Sequence, residues 1–531
     1  MLVYYVIAPI LIGVFLYFFS NQVGKIIAIT AQFLFVAAAV YLLIQVQNET
    51  AIVTNVGNFR SFLGIYLMAD SLSAAFVLLT AIIFLAATIF SLHEKRSNLF
   101  WFLLFIWESA LIGLFLTRDF FNIFVMAEVA TVVVAVLLMY DRDRRRIYDG
   151  MIFLMTNVVA VQFYLFGVGY IYMITGRMDM QAASEVIATL PPSQVYLAYA
   201  LVMTAIAFKC ALLPLSSWLV KVSSVPRAPI AIATILSALH VKGGIYLFIR
   251  FQSVFIEVIP GEFYVVIGAI TGIVGVVMAL AQKDVMLMLA YSSVAQIGLI
   301  MVALNMGTTY AYVGGMLHAV NHGIFKAALF FGAGMIAQAY RTRNISRLSG
   351  VWKVGKLVTI AQFLAILGII GAPFFNGSIS KYFMAAEANT LLTIVMSVIS
   401  LGTILVYLKY ARIFFGTTNN EHAKKYPNDR LRHSVVFSLG FACLVLGVFG
   451  QQIAYLLFGY DLNINFAGYV QKVIIFAASM VVALVLARSP LFKWLEKHLH
   501  SVNNFGFRGI CASIGVFFGA ILVVVLAFVA Y

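Results

Sequence analysis

Charge is scarce in this chain. Asp, Glu, Lys and Arg make up 10% of its 531 residues and hydrophobic residues 63%, whereas soluble proteins carry about 25% charged residues. So little charge cannot cover a water-soluble protein of this length. A soluble enzyme and a nucleic-acid-binding protein are therefore excluded, despite the net charge of +15. Cysteine is scarce too. Cys210, Cys443 and Cys511 each lie in an apolar stretch without motif spacing, which leaves no disulfide framework, zinc ribbon or iron–sulfur site. Long polar stretches are missing: the longest connections are 46–60, 175–193, 416–432 and 488–506, so no soluble domain is expected. The first residues, MLVYYVIAPILIGVFLYFF, lack a basic leader region and a small-residue cleavage site, so they read as a retained helix.

What is present is one apolar run after another, each of about 18 residues or more and long enough to cross a bilayer core. The expected fold class is an all-α polytopic membrane protein of about 14–16 transmembrane helices. Basic residues concentrate in alternate loops, among them Arg144-Arg145-Arg146, Arg341-Thr342-Arg343 and the 421–432 stretch. Cytoplasmic loops are the positive ones, which places a multi-pass protein in the cell (inner) membrane with both termini on the outer side. The stretches 177–190 and 489–500 read as short interfacial helices.

Two segments are interrupted. In TAIAFKCALLPLSSWL, Pro214 follows Lys209; in LGIIGAPFFNGSISKYFM, Gly371, Pro373, Asn376 and Gly377 precede Lys381. Interrupted segments at matching positions in two halves predict inverted repeats of five helices each, with a broken helix in each repeat. The expected divisions are 1–97 (three N-terminal helices), 98–250 (first repeat), 251–415 (second repeat) and 416–531 (C-terminal helices, with an interfacial helix near 489–500).

The spans also hold ionisable residues, each costing about 2.5–3.5 kcal/mol at the bilayer centre. They are Glu128, Lys209, Lys242, His318, His322, Lys326 and Lys381, with His240, Glu108 and Asp70 as secondary candidates. Lys409 and Arg412 are weaker, because they sit near a helix end where they can snorkel. His318, His322 and Lys326 are four residues apart and share one helix face, a stripe of proton-exchanging groups or a set of interhelical hydrogen-bond donors. The HAVNH spacing is not a zinc-protease motif, because Ala319 stands where a glutamate is needed; no metal is expected. Glu128 and Lys209 belong to the same proposed repeat. If they approach, the pair is either a proton-loading switch or a permanent ion pair that fixes packing.

Together these stretches carry a family resemblance. ADSLSAAFVLL at Asp70, FNIFVMAEV at Glu128, FKCALLPLSSWL at Lys209, SALHVKGGIYLFIR at Lys242, LAYSSVAQIG, LHAVNHGIFKAALFFGAG at 317–334 and FNGSISKYF at Lys381 occur in order over about residues 65–415. The chain resembles the antiporter-like membrane subunits of respiratory complex I, of Mrp-type cation/proton antiporters (their D-type subunits especially) and of membrane-bound ion-pumping hydrogenases. The resemblance implies two inverted five-helix repeats. It implies that Glu128 is the essential glutamate, Lys209 the broken-helix lysine, Lys242 the connecting lysine and Lys381 the terminal lysine of the second half. It also implies that His318, His322 and Lys326 form the polar axis linking the halves. The chain departs from the family pattern at Ser216 and Ser223, where histidines are usual, and at Met286 and Leu287, where a basic pair is usual.

The expected function is proton translocation, with Na+ as a candidate exchange ion, within a multisubunit membrane complex; the chain is expected to bind no cofactor of its own. Its partners are other membrane subunits of an antiporter or of a respiratory or hydrogenase complex. The rival readings are a proton-pumping subunit of an energy-converting oxidoreductase and a structural scaffold whose buried charges do not conduct.

Overall fold

The computed structural model describes the chain apart from residues 20, 59–63, 95, 142, 224, 226–227, 256–257, 259–260, 418–428, 491–493, 495–496, 500–505 and 531. The basic stretch 421–432 and the amphipathic stretch 489–500 therefore lie partly outside the described residues. The chain opens with α1 (Val3–Phe15) and α2 (Asn21–Glu49). A small antiparallel hairpin, β1 (Ile52–Asn55) with β2 (Tyr66–Ala69), leads into α3 (Ser71–Ser91). Then follow α4 (Asn98–Leu116), α5 (Phe120–Met139), α6 (Arg144–Thr175), the short α7 (Met180–Ile187), α8 (Pro192–Lys209) and α9 (Ser217–Ser223). α10 (Ile230–Ile235) continues through a π-helical turn, Leu236–His240, into α11 (Val241–Val254). Next come α12 (Gly261–Ala281), α13 (Val285–Leu304), α14 (Thr309–Tyr340), α15 (Val351–Val354), α16 (Lys356–Ile370) and α17 (Asn376–Ala385). The chain ends with α18 (Thr390–Ala411), α19 (Arg430–Val448), α20 (Gly450–Phe458), α21 (Phe466–Leu486) and α22 (Phe507–Ala530).

Thirteen helices among the described residues are long and apolar enough to span a membrane. The other expected segments correspond to α1 and to the interrupted pairs α8–α9 and α16–α17. The molecule is an all-α polytopic membrane protein. Many of its few carboxylates serve at helix starts: Asp70, Asp119, Asp179, Asp284 and Asp429 each accept a backbone N–H of the first turn that follows. An N-terminal turn leaves such donors unbonded, and a carboxylate there also meets the positive end of the helix dipole.

The chain divides into two compact units. The first comprises Met1–Trp218, Leu239–Pro260 and Phe505–Tyr531; the second comprises Leu219–Ala238 and Gly261–Asn504. In the first, α6 packs on α8, and α22 returns to pack on both. In the second, α14 is buried along nearly its whole length and packs against α13, α16, α17 and α19.

Each unit contains one interruption, and the two share a design. α8 ends with the Ala211 N–H donating to Phe208 O and the Leu212 N–H to Ala207 O; α16 ends with Gly371 N–H to Gly368 O and Ala372 N–H to Leu367 O. Both are Schellman caps, whose cap residue must be left-handed. Ala211 has φ +55° and Gly371 φ +81°. A proline follows each cap, Pro214 and Pro373, and cannot donate to a continued helix. Gly377 lets α17 start against the end of α16, because a Cβ there would lie 2.0 Å from Gly368 O.

Near one end of the first unit, Asp70 accepts from Arg250 at 2.5 Å and from Arg118 at 3.3 Å, and Ser73 and Tyr246 complete the network. Partial burial opposes ionisation of Asp70, but the two guanidiniums outweigh it and hold the carboxyl well below the usual carboxylate range. Asp70 was expected inside a span; it stands before α3, as its N-cap.

Two outcomes follow from this packing. Gly377→Ala forces α17 away from α16 and should destabilise the protein by about 1–3 kcal/mol, read as a fall in thermal midpoint in detergent. Asp70→Asn strands two arginines and should cost about 3 kcal/mol near pH 7. Because the folded carboxyl is held low, its contribution is full above pH about 4 and fades as pH falls further. The gap in midpoint between the parent protein and Asp70→Asn should close in that acid range, and a gap that stays constant refutes the assignment.

Candidate functional site

In the first unit the site is built around the end of α8. Lys209 is the last residue of α8, so its side chain stands where the helix leaves carbonyls unbonded and its dipole is negative. Its Nζ donates to Thr131 Oγ1 on α5 at 2.9 Å and to Asn157 Oδ1 on α6 at 3.0 Å. Glu128 lies one turn before Thr131 on the same face of α5. Among the described residues no direct ion pair joins Glu128 to Lys209; the two attract each other over a longer distance, and Glu128 Oε1 is buried without a hydrogen bond. The lysine is thus held by two neutral acceptors beside its carboxylate partner. α11 fixes this end of α8 by close backbone approach, since a Cβ on Gly244 would fall 2.4 Å from the Lys209 carbonyl carbon.

Lys242 and His240 occupy the start of α11, at and just after the π-helical turn, and π-turns gather at functional positions. Lys242 is fully buried. His240 Nδ1 accepts from Trp107 Nε1 at 3.3 Å, with the Trp218 ring edge-on to the imidazole. Glu108, next to Trp107 on α4, is fully buried, and its Oε2 accepts from Gln32 Nε2 at 2.5 Å. The structure joins Glu108 to α2 through that contact.

In the second unit three helices contribute side chains one turn apart. α14 carries His318, His322 and Lys326, all fully buried; α13 carries Ser292 and Gln296; α18 carries Thr403 and Tyr407. Lys326 Nζ donates to Leu289 O at 2.7 Å and to Tyr407 Oη at 3.3 Å, and that hydroxyl lies 3.0 Å from Ser292 Oγ. His318 Nε2 donates to Gln296 Oε1 at 2.9 Å, since an amide oxygen only accepts, and Gln296 Nε2 donates to Thr403 Oγ1 at 3.0 Å. His318 Nδ1 pairs with Ser380 Oγ of α17 at 2.8 Å. His322, between them, stands edge-on to Phe325. Lys381, next to Ser380, donates to Ile369 O at 3.0 Å and to Ile370 O at 3.2 Å. Its ammonium therefore neutralises the carbonyls left open where α16 stops. Asn376, at the start of α17, is fully buried, with neither carboxamide atom hydrogen-bonded among the described residues.

The neutral partners Thr131, Asn157, Gln296, Thr403, Ser380 and Tyr407 were not among the sequence candidates. Polar but uncharged residues are common in spans, so only the fold singles these out. Lys472 was missed although a lysine in an apolar run is a visible signal. Its Nζ donates to the Lys381 carbonyl at 2.6 Å. Lys409 does not snorkel: it is buried and caps α12 through Leu280 O and Gln282 O, both at 2.8 Å.

Known proteins share this arrangement of helices. The family model described as "NADH:quinone oxidoreductase/Mrp antiporter, TM" matches residues 117–406, which include both interruptions. The N subunit of NADH-quinone oxidoreductase from Desulforudis audaxviator (strain MP104C) is 30% identical over 429 residues, spanning 73% of this chain and 83% of that protein. The D subunit of the Na(+)/H(+) antiporter from Alkalihalophilus pseudofirmus is 26% identical over 473 residues, spanning 85% of this chain and 95% of that one. In the solved Mrp complex from Dietzia sp. DQ12-45-1b, one chain superposes with a TM-score of 0.79 at 23% identity, covering 92% of this chain and 98% of that one. With more than half its length matched, and with the relative from Desulforudis sharing 30% of aligned residues, the chain belongs to the NADH:quinone oxidoreductase/Mrp antiporter transmembrane family.

Proposed function

We propose that this protein is the proton-translocating, antiporter-like subunit of a multisubunit membrane complex, of the Mrp D type, exchanging protons against Na+. Other membrane subunits are its partners, the cell (inner) membrane is its place, and both termini face outward. The observation that carries this reading is the position of Lys209. A lysine at a helix break, held by Thr131 and Asn157 one turn from Glu128, has two alternative sets of partners, the two neutral acceptors and the carboxylate that attracts it. Against Glu128 it is stabilised as an ammonium; against Thr131 and Asn157 it has only dipoles and releases its proton more readily. Glu128 is left with an open oxygen that can accept the ammonium.

The second unit supports the same chemistry. Its side chains all exchange protons or hydrogen bonds: lysine, histidine, hydroxyl and amide stand in hydrogen-bonded sequence from Lys326 to Tyr407 and Ser292, and from Ser380 through His318 and Gln296 to Thr403. Histidine can carry a proton on either nitrogen. A second reading is a proton pump powered by electron transfer in a neighbouring module. It is favoured by the 30% identity to the N subunit of an NADH-quinone oxidoreductase. Both readings use the same residues and differ in what drives them. A purely structural scaffold is the outcome that the following measurements would reveal.

In inverted membrane vesicles, Glu128→Ala and Lys209→Ala should lower ion-driven proton movement about a hundredfold or more while the assembled complex keeps its amount and size. Lys221→Ala, on α9, should change it little. Thr131→Val removes one of two acceptors from an ammonium and should slow transport about tenfold. Normal transport in Lys209→Ala sinks the mechanism. In the second unit, Gln296→Leu strips His318 of its Nε2 acceptor and should also slow transport about tenfold; an unchanged rate would mean that His318 only packs.

A further inference from the structure

α21 lies beyond the family-matched segment 117–406, yet it is bound to the second interruption. As a candidate membrane span it buries little of itself, 6% of its most apolar window, so most of it faces outward. The side chains it turns inward go to the broken helix. Tyr469 Oη accepts the Phe374 N–H at 3.3 Å and lies 3.1 Å from Ser378 Oγ. Asn465, the N-cap of α21, donates its N–H to Tyr382 Oη at 3.1 Å. Lys472 donates to the Lys381 carbonyl. A lysine on so exposed a helix needs water or protein to accept its charge, and here the Lys381 carbonyl does so.

Between α17, α18 and α21 lies a cavity of about 520 Å³. Its lining runs from buried Lys381 to exposed Glu387 in the α17–α18 turn. Ser397 and Ser400 of α18, with Lys472 and Ser479 of α21, line the walls. A space of this size with so many polar groups holds water readily. The charged groups facing it are Lys381, Lys472 and Glu387, and Tyr310 and Tyr382 are its other titratable walls.

We propose that this cavity is the opening of the second unit to solvent, and that Lys472 is the positioning residue that drives the proton of Lys381 into it. The inference rests on the proton-transport reading above. Two ammonium groups sharing one cavity repel. The Lys381 Nζ–H bond breaks, the proton passes to cavity water and on towards Glu387, and a neutral amine remains on the Ile369 and Ile370 carbonyls. Lys472 keeps its proton throughout. α21 is then a working wall of the path.

The test uses the assembled complex in vesicles, with Cys210, Cys443 and Cys511 replaced by Ala. Single Ser400→Cys and Ser479→Cys variants are treated with 2-aminoethyl methanethiosulfonate and read by mass shift, with buried Ser293→Cys as the unreactive reference. Both cavity cysteines should label and Ser293→Cys should not. Lys472→Cys should transport protons about tenfold more slowly. The aminoethyl reagent, which rebuilds a cation there, should recover most of the rate, whereas the 2-sulfonatoethyl reagent should not. Absence of labelling at positions 400 and 479 overturns the water-filled opening. A parent-like rate in Lys472→Cys, or equal response to both reagents, overturns the role of its charge. Labelling needs no transport, so the opening stands or falls separately from the transport reading. That reading fails instead if Lys209→Ala and Glu128→Ala transport normally.

Discussion

A helix that stops inside a hydrocarbon layer must find partners for its last carbonyls, because no water is there to bond them. The rest of this structure depends on how α8 and α16 meet that demand. Both wind their ends into Schellman caps, which satisfy two carbonyls each through the backbone. The remaining negative potential sits at the end of the helix dipole, and both helices place a lysine there. Lys209 is the last residue of α8, while Lys381 reaches back from α17 to the end of α16. The interruption and the buried charge therefore go together: the break supplies a field in which an ammonium is tolerated. At the end of α16 the ammonium of Lys381 also bonds the carbonyls that the break exposes, while that of Lys209 rests on Thr131 and Asn157.

The packing around each device follows from it. A lysine held at a break needs neutral acceptors close by, and polar residues on neighbouring helices provide them: Thr131 and Asn157 for Lys209, Leu289 O and Tyr407 for the related buried Lys326. Close helix approach is then essential, which is why small residues stand at Gly244 against α8 and Gly377 against α16. Five aspartates, by contrast, serve at helix starts, where ionisation costs least. Glu128 and Glu108 are carboxylates that this chain keeps inside spans, and they are held differently. Each keeps one buried oxygen without a hydrogen bond among the described residues, but Glu108 has an amide donor from Gln32 on its other oxygen, whereas Glu128 has the charge of Lys209 at longer range.

Much of this was legible in the sequence, for a physical reason. A charge in an apolar run and a proline in a helix both violate local rules, and violations stand out. Lys209 with Pro214, Lys381 with Pro373 and Gly377, and the 318–326 stripe were found that way. What stayed hidden was whatever violates nothing. Thr131, Asn157, Gln296 and Thr403 are ordinary residues of membrane helices until a neighbour is placed beside them. Asp70 looked like an intramembrane acid because its apolar surroundings could not reveal that α3 begins one residue later. Lys409 looked free to snorkel because nothing in its own stretch shows the end of α12 beside it. Hydropathy reads the environment of a segment, and capping is a relation between segments.

The same distinction bears on how a proton moves. A permanent ion pair between Glu128 and Lys209 would be the lowest state if the two charges met in a dry interior, and a pair that tight would not let go. On the proposed reading, resting Lys209 on a hydroxyl and an amide raises the energy of the ammonium without stranding it, and leaves the carboxylate one turn away as the alternative. The difference between two such states need only be a few kcal/mol for an incoming charge to tip it, because like charges in low dielectric interact on that scale. A switch of this kind demands imperfect pairing in the resting structure. On the proposed reading, the open oxygen of Glu128 and the neutral partners of Lys209 are that imperfection, beside the point where α8 is already broken.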